Sequence, residues 1–103
     1  MPLVKAAEVH EIPEGRGKRV LIKRRAIAIF NCGGTYYAVD DTCSHADASL
    51  AEGEFHKDTC QVACPLHGAR FDVKTGEALS LPAVTPVETY KVTIDGTAIM
   101  VEV

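Results

Sequence analysis

The sequence has no long run of apolar residues and no excess of positive charge, and each absence argues against a class of protein. No apolar segment approaches the length of about 20 residues that a membrane-spanning helix needs. The net charge is −3, and no basic stripe is available to neutralise phosphates, so nucleic acid is not an expected partner. The first ten residues also lack the apolar stretch of a signal peptide, which predicts a cytoplasmic protein.

What the chain does contain predicts one folded domain built of strands. It has 103 residues, of which 47% are hydrophobic and 24% are charged, as in ordinary globular domains. Gly33-Gly34 and Asp95-Gly96 are typical of tight hairpin turns, and runs rich in valine, isoleucine and threonine flank them. One such run, from Glu88 to Ile94, alternates apolar and polar residues and predicts a single strand. No segment predicts an amphipathic helix, so we expect an all-β fold.

Two short motifs stand out from this framework, Cys43-Ser44-His45 and Cys64-Pro65-Leu66-His67. Each offers one thiolate and one imidazole, and loops that bear both ligand types can converge on one metal centre. Two cysteines and two histidines suit a structural zinc ion. They equally suit a two-iron, two-sulfur cluster in which histidines replace two of the usual cysteines. The spacing alone leaves both alternatives open.

Several other polar residues have no such pattern. Cys32 and Cys60 are predicted to be free cysteines, because a disulfide between them would be disfavoured in the cytoplasm. His10 and His56 are interpreted as surface histidines. Acidic residues gather near the first motif and either steer a basic partner or are solvated loop charges; they are Asp40, Asp41, Asp47, Glu52 and Glu54.

The residues around the motifs resemble those of the Rieske ferredoxin family. The similarity lies in the stretch from Cys43 to Gly53 and in Cys64-Pro65-Leu66-His67-Gly68-Ala69-Arg70-Phe71-Asp72, and it extends over nearly the whole chain. The most similar members are small ferredoxins that feed electrons to bacterial ring-hydroxylating oxygenases in aromatic hydrocarbon catabolism. The resemblance implies an antiparallel β-sandwich, with a loop-rich cluster-binding subdomain at about 41–81 inserted in a base formed by the remainder.

The resemblance also implies a ligand set and a cofactor. Cys43 and Cys64 would hold the inner iron of one [2Fe-2S] cluster, and His45 and His67 would hold the outer iron. Neutral imidazoles in place of anionic thiolates make the cluster less negative, and this raises its potential above that of an all-cysteine ferredoxin. Gly68 is expected to permit a close backbone approach there.

Neighbouring residues set the expected potential within the Rieske range. High-potential relatives carry a disulfide between the two ligand loops, at positions where this chain has Ala48 and Leu66. They also place serine and tyrosine hydroxyls near the cluster, where this chain has Ala69 and Phe71. Fewer donors leave the reduced cluster less stabilised, so we expect a midpoint near the low end, about −150 mV.

The function that the resemblance implies is electron transfer rather than catalysis by this chain. A monomer would carry one electron from a flavin-dependent reductase to a terminal oxygenase by transient docking. The alternative is the small Rieske-type subunit of a nitrite reductase or of another multicomponent oxidoreductase. A zinc-stabilised interaction module is the third. Eighteen residues, 46 to 63, separate His45 from Cys64, slightly more than the family usually carries, and the extra length is expected at a hairpin tip around 54–60.

Overall fold

Antiparallel sheets form the framework of the protein in this computed structural model, which describes residues 3–43, 48–66, 68–80 and 85–103. Over these residues the helical segments are two short 3-10 helices, Val9–Glu11 and Leu50–Glu52. The all-β prediction is therefore confirmed. Within the same ranges, no helix is long and apolar enough to cross a membrane.

The strands of the described residues fall into three sheets. In chain order they are β1 (Leu3–Glu8), β2 (Gly17–Ile22), β3 (Arg25–Cys32), β4 (Thr35–Asp40), β5 (Glu54–His56), β6 (Gln61–Ala63), β7 (Arg70–Asp72), β8 (Thr89–Tyr90), β9 (Val92–Asp95) and β10 (Ala98–Glu102). The sheet orders are β1-β10-β9, β2-β3-β4-β8 and β5-β6-β7.

Strand β3 separates two clusters of buried side chains. Ala28 and Phe30 belong to one cluster, whereas Ile27 and Ile29 belong to the other. Successive side chains of a strand point to opposite faces of the sheet, so β3 is covered on both faces. The first cluster also receives Leu50 and side chains of β6 and β7, and it therefore joins the four-stranded sheet to the sheet β5-β6-β7.

The prediction of one strand from Glu88 to Ile94 is wrong. The structure divides this segment at Lys91, because β8 pairs with β4 in one sheet and β9 pairs with β10 in another. Tyr90 and Val92 nevertheless pack against the same buried cluster, while Ile94 is exposed. The apolar alternation thus continues through the change of sheet, which is why the sequence pattern did not reveal it.

The Tyr90 side chain binds the segment from Glu88 to Ile94 to β4. Its hydroxyl donates to Asp40 Oδ1 at 2.6 Å and accepts from Arg25 Nη1 at 3.2 Å. Burial, first, and the hydrogen bond to Asp40, second, raise the pKa of the Tyr90 phenol above its ordinary value of 10.0. The folded protein therefore holds this proton more tightly than the unfolded chain does.

Replacing Tyr90 with phenylalanine is expected to lower the free energy of unfolding by about 1 kcal/mol at pH 8. A raised folded pKa contributes stability that is fully present below pH 10 and is lost as pH rises through the folded pKa. The difference between wild type and Y90F should therefore shrink at pH 10.5. Urea denaturation of both proteins at the two pH values measures it, and a difference that grows with pH would contradict the assignment.

Candidate metal centre

The loop that follows β4 carries Cys43 and is closed at its base. An antiparallel bridge joins Thr42 to Ser49, and the Cys43 N–H donates to the Ala48 carbonyl at 2.9 Å. We call residues 41–49 the first cysteine loop; within it the structure describes 41–43 and 48–49. These bonds hold Cys43 beside the end of the four-stranded sheet.

The loop that follows β6 carries Cys64 and is closed in a similar way. We call residues 64–69 the second cysteine loop. The Cys64 N–H donates to the Ala69 carbonyl at 2.7 Å, and the Gly68 N–H donates to the Cys64 carbonyl at 2.9 Å. In both loops, therefore, the cysteine amide binds the carbonyl five residues further on.

Gly68 is required for its backbone conformation. Its φ is +71°, in the left-handed region that favours glycine. Among the residues that the structure describes, a Cβ added at Gly68 would meet nothing within 4 Å. The amide is also already committed to Cys64 within the loop.

The two loops bring their cysteines into one buried cluster. Cys43 is 4% and Cys64 is 2% exposed, and both lie in the cluster that contains Leu50 and Ala69. Neither sulfur belongs to a disulfide. Two buried thiols on two tightly closed loops fit the donor set of an iron–sulfur centre, in which cysteines bind as thiolates. His45 and His67 lie outside the described residues.

No other metal site competes with these loops in the part of the chain that the structure describes. No group of three or more histidine, cysteine, aspartate or glutamate side chains is arranged there to hold an ion, in a search that does not reach His45 and His67. His10 is exposed, and His56 is partly exposed beside Glu54, with 3.6 Å between Nε2 and Oε1. Their interpretation as surface histidines agrees with these positions.

The other two cysteines contradict the prediction of free thiols. The structure joins Cys32 and Cys60 in a disulfide, with their Cα atoms 5.8 Å apart. Cys32 ends β3, and Cys60 lies in the turn between β5 and β6, which is the hairpin tip expected from the extra chain length. This turn folds back against the end of β3, a long-range contact that local sequence patterns do not reveal.

Asp41 is the acidic residue whose sequence-based interpretation was wrong. It is only 2% exposed, so it is neither a solvated loop charge nor a group that steers a partner. Glu52 and Glu54 are exposed, as expected, whereas Asp40 accepts the hydrogen bond from Tyr90. The consecutive Asp40-Asp41 at the end of a strand gave no signal of which carboxylate turns inward. Asp47 lies outside the described residues.

Comparison with known proteins identifies the architecture. Residues 3–91 match the family model described as "Rieske [2Fe-2S] domain". The chain is 44% identical over 102 residues to the 3-phenylpropionate/cinnamic acid dioxygenase ferredoxin subunit of Shigella boydii serotype 4 (strain Sb227), covering 99% of this chain and 94% of the relative.

Solved structures show the same likeness. The ferredoxin of carbazole 1,9a-dioxygenase from Nocardioides aromaticivorans IC177 superposes with a TM-score of 0.94 at 37% identity, covering 98% of this chain and 97% of that one. A chain in a complex of reduced oxygenase and oxidized ferredoxin in carbazole 1,9a-dioxygenase gives a TM-score of 0.88 at 31% identity, covering 96% and 91%.

The antiparallel sheets and the two closed loops that each bury a cysteine define a small β protein with a candidate metal centre. More particularly, the chain belongs to the family of Rieske [2Fe-2S] domains. The resemblance seen in the sequence is thus confirmed.

Proposed function

We propose that this protein is an electron-transfer ferredoxin that carries one electron from a flavin-dependent reductase to a terminal oxygenase. The observation that supports this most strongly is the 44% identity, over 99% of the chain, to a dioxygenase ferredoxin subunit. The superposition on a carbazole dioxygenase ferredoxin at nearly full length supports it independently. The chain is then the electron carrier of a multicomponent system rather than its catalyst.

The proposed ligands are Cys43, His45, Cys64 and His67. A bound [2Fe-2S] cluster supplies a centre that accepts and releases a single electron. The buried Cys43 and Cys64 would bind as thiolates, and the closed cysteine loops would fix their positions. His45 and His67 would complete the set as neutral imidazoles, and residues 41–81 would form the cluster-binding subdomain of a single domain.

The proposed partners dock transiently at the second cysteine loop. Leu66 precedes His67 and is 59% exposed, so it offers an apolar contact at this loop. Pro65, on the other side of Leu66 from His67, is also exposed. Leu50 is fully buried in the cluster that contains Cys43 and Cys64. We further propose that the protein is a monomer and that it is located in the cytoplasm, as the sequence predicts.

The midpoint potential is expected near the low end of the Rieske range, at about −150 mV. Ala69, the last residue of the second cysteine loop, and Phe71 on β7 are fully buried, and neither side chain has a hydroxyl that could donate to the cluster or its ligands. Fewer donors stabilise the reduced, more negative state less. A potentiometric titration monitored by visible absorption measures the midpoint, and a value above about +100 mV would contradict the expectation.

The proposed function is tested by following electron delivery directly. Reduced protein is mixed in a stopped-flow instrument with an oxidised terminal oxygenase of the ring-hydroxylating class, and its reoxidation is timed. We expect fast reoxidation, and L66E should slow it without changing the protein's absorption spectrum. L21E is the matched control, because Leu21 is exposed to a similar extent, 66%, but lies on β2. No electron transfer to any member of the oxygenase class would refute the proposal.

A further inference from the structure

The carboxylate of Asp41 is buried at the junction between β4 and the first cysteine loop. Its Oδ1 accepts hydrogen bonds from Ser49 Oγ at 2.8 Å and from the Ala51 N–H at 2.9 Å. Ser49 is the last residue of the loop, and Ala51 belongs to the 3-10 helix that follows. One carboxylate oxygen therefore joins the beginning of the loop to its end.

The backbone of Asp41 makes the same connection. Its N–H donates to the Ala26 carbonyl at 3.0 Å, and its carbonyl accepts from the Leu50 N–H at 2.7 Å. Asp41 is thus bound to β3 on one side and to the 3-10 helix on the other. Cys43 follows only two residues later, so this residue fixes the point from which the ligand-bearing segment starts.

The charge of Asp41 is balanced by a single described cation. Arg19 Nε on β2 lies 3.2 Å from Asp41 Oδ2, and the Arg19 side chain is 54% exposed. A buried carboxylate is strongly disfavoured unless hydrogen bonds and an opposite charge compensate it. Arg19 provides that charge from β2, which β3 separates from β4, and so it also ties β2 to the loop.

We propose that Asp41 is a positioning residue for the metal centre: its buried carboxylate, balanced by Arg19, fastens the base of the loop that carries Cys43. This rests on the proposed function, in which Cys43 is a cluster ligand. The hydrogen bonds and the ion pair of Asp41, which we call the clasp, keep the Cys43 thiolate in place in both redox states. The paired charges also prevent an unbalanced negative charge near the cluster, which would oppose the arrival of an electron.

Five variants of the complete, cluster-loaded protein separate position from charge, and one of them, D41A, removes the hydrogen-bond acceptor altogether. R19Q removes the balancing cation, and R19K retains it. D41N is nearly isosteric and can still accept from Ser49 and Ala51, and the double variant D41N/R19Q removes both charges. Each is measured for its midpoint potential, for the rate of iron release to a chelator and for hydrogen exchange of the Ala51 amide.

The midpoint potential should shift in opposite directions when the positive charge of Arg19 and the negative charge of Asp41 are removed. R19Q is expected to lower the equilibrium constant for reduction about threefold, which for one electron is about 30 mV, and D41N should raise it similarly. The double variant and R19K should lie close to wild type. A side chain with only a packing role would not give this pattern, so equal potentials in R19Q, D41N and wild type would overturn the electrostatic part of the proposal.

The rate of iron release and the hydrogen exchange of the Ala51 amide test the clasp itself. We expect R19Q to release iron about tenfold faster than wild type and D41N/R19Q to recover part of that loss, because the unbalanced buried charge is gone. D41A should also speed exchange of the Ala51 amide, whose acceptor it removes. Unchanged exchange in D41A, or unchanged iron release in R19Q, would overturn the clasp. A wild-type protein without any cluster would instead refute the proposed function, and the exchange measurement would still test the clasp.

Discussion

Replacing His45 or His67 with alanine is expected to remove the [2Fe-2S] cluster, whereas the same replacement at His10 or His56 should leave it in place. Each proposed ligand completes the coordination of one iron, so its loss opens the cluster to water and to iron loss. His10 lies in the 3-10 helix Val9–Glu11 and His56 ends β5, so both are outside the two cysteine loops. Iron and acid-labile sulfide per chain, together with visible absorption, measure the outcome.

The cysteines offer an equally matched comparison. C43A and C64A should lose the cluster, and the double variant C32S/C60S should retain it, since those two sulfurs are joined to each other. Circular dichroism of every variant shows whether the sheets are retained. Full cluster content in H45A, H67A, C43A or C64A would show that the replaced residue is not a ligand.

Opening the Cys32–Cys60 disulfide is expected to have the second largest effect, a loss of about 3–4 kcal/mol in the free energy of unfolding. The bond links the end of β3 to the β5–β6 turn across a sequence separation of 28 residues, and so it restrains a large loop of the unfolded chain. It also ties the sheet that follows the first cysteine loop to the four-stranded sheet. Urea denaturation of wild type and C32S/C60S measures the difference.

The effect should be confined to stability. The disulfide lies at the turn of the β5–β6 hairpin, and Cys64 follows the opposite end of β6. We therefore expect C32S/C60S to keep the midpoint potential of wild type. A control with a thiol-alkylating reagent on the unfolded, unreduced protein should leave Cys32 and Cys60 unmodified. Their modification, or an unfolding free energy equal in both proteins, would contradict a stabilising disulfide.

The sequence predicted those features that local chemistry determines. The turn at Gly33-Gly34, which joins β3 to β4, and the runs of β-branched residues specified an all-β fold, although the last turn lies at residues 96–97 rather than at Asp95-Gly96. The two Cys/His motifs indicated the two closed loops that each bury a cysteine. It could not predict which residues meet over long range. The contact of the β5–β6 turn with β3, which pairs Cys32 with Cys60, is of this kind.

The surroundings of Asp41 and Tyr90 are two further features that the sequence could not predict. Whether Asp40 or Asp41 turns inward depends on Ser49 and Ala51 folding back over the loop, and no periodic pattern encodes that. At Tyr90 the apolar alternation of one strand continues into the next, although the two strands belong to different sheets. In both cases tertiary contacts, rather than residue preferences, decide the structure.

Pulsed electron paramagnetic resonance of the dithionite-reduced protein tests the central claim most directly. One-electron reduction of a [2Fe-2S] cluster leaves an unpaired electron, which couples magnetically to the nuclei of directly bound nitrogen ligands. Labelling the histidines with ¹⁵N should change two nitrogen couplings in wild type, and the labelled H56A variant should show the same two. A reduced protein that is silent in this measurement and contains zinc, or a paramagnetic one with no histidine nitrogen coupling, would contradict the account.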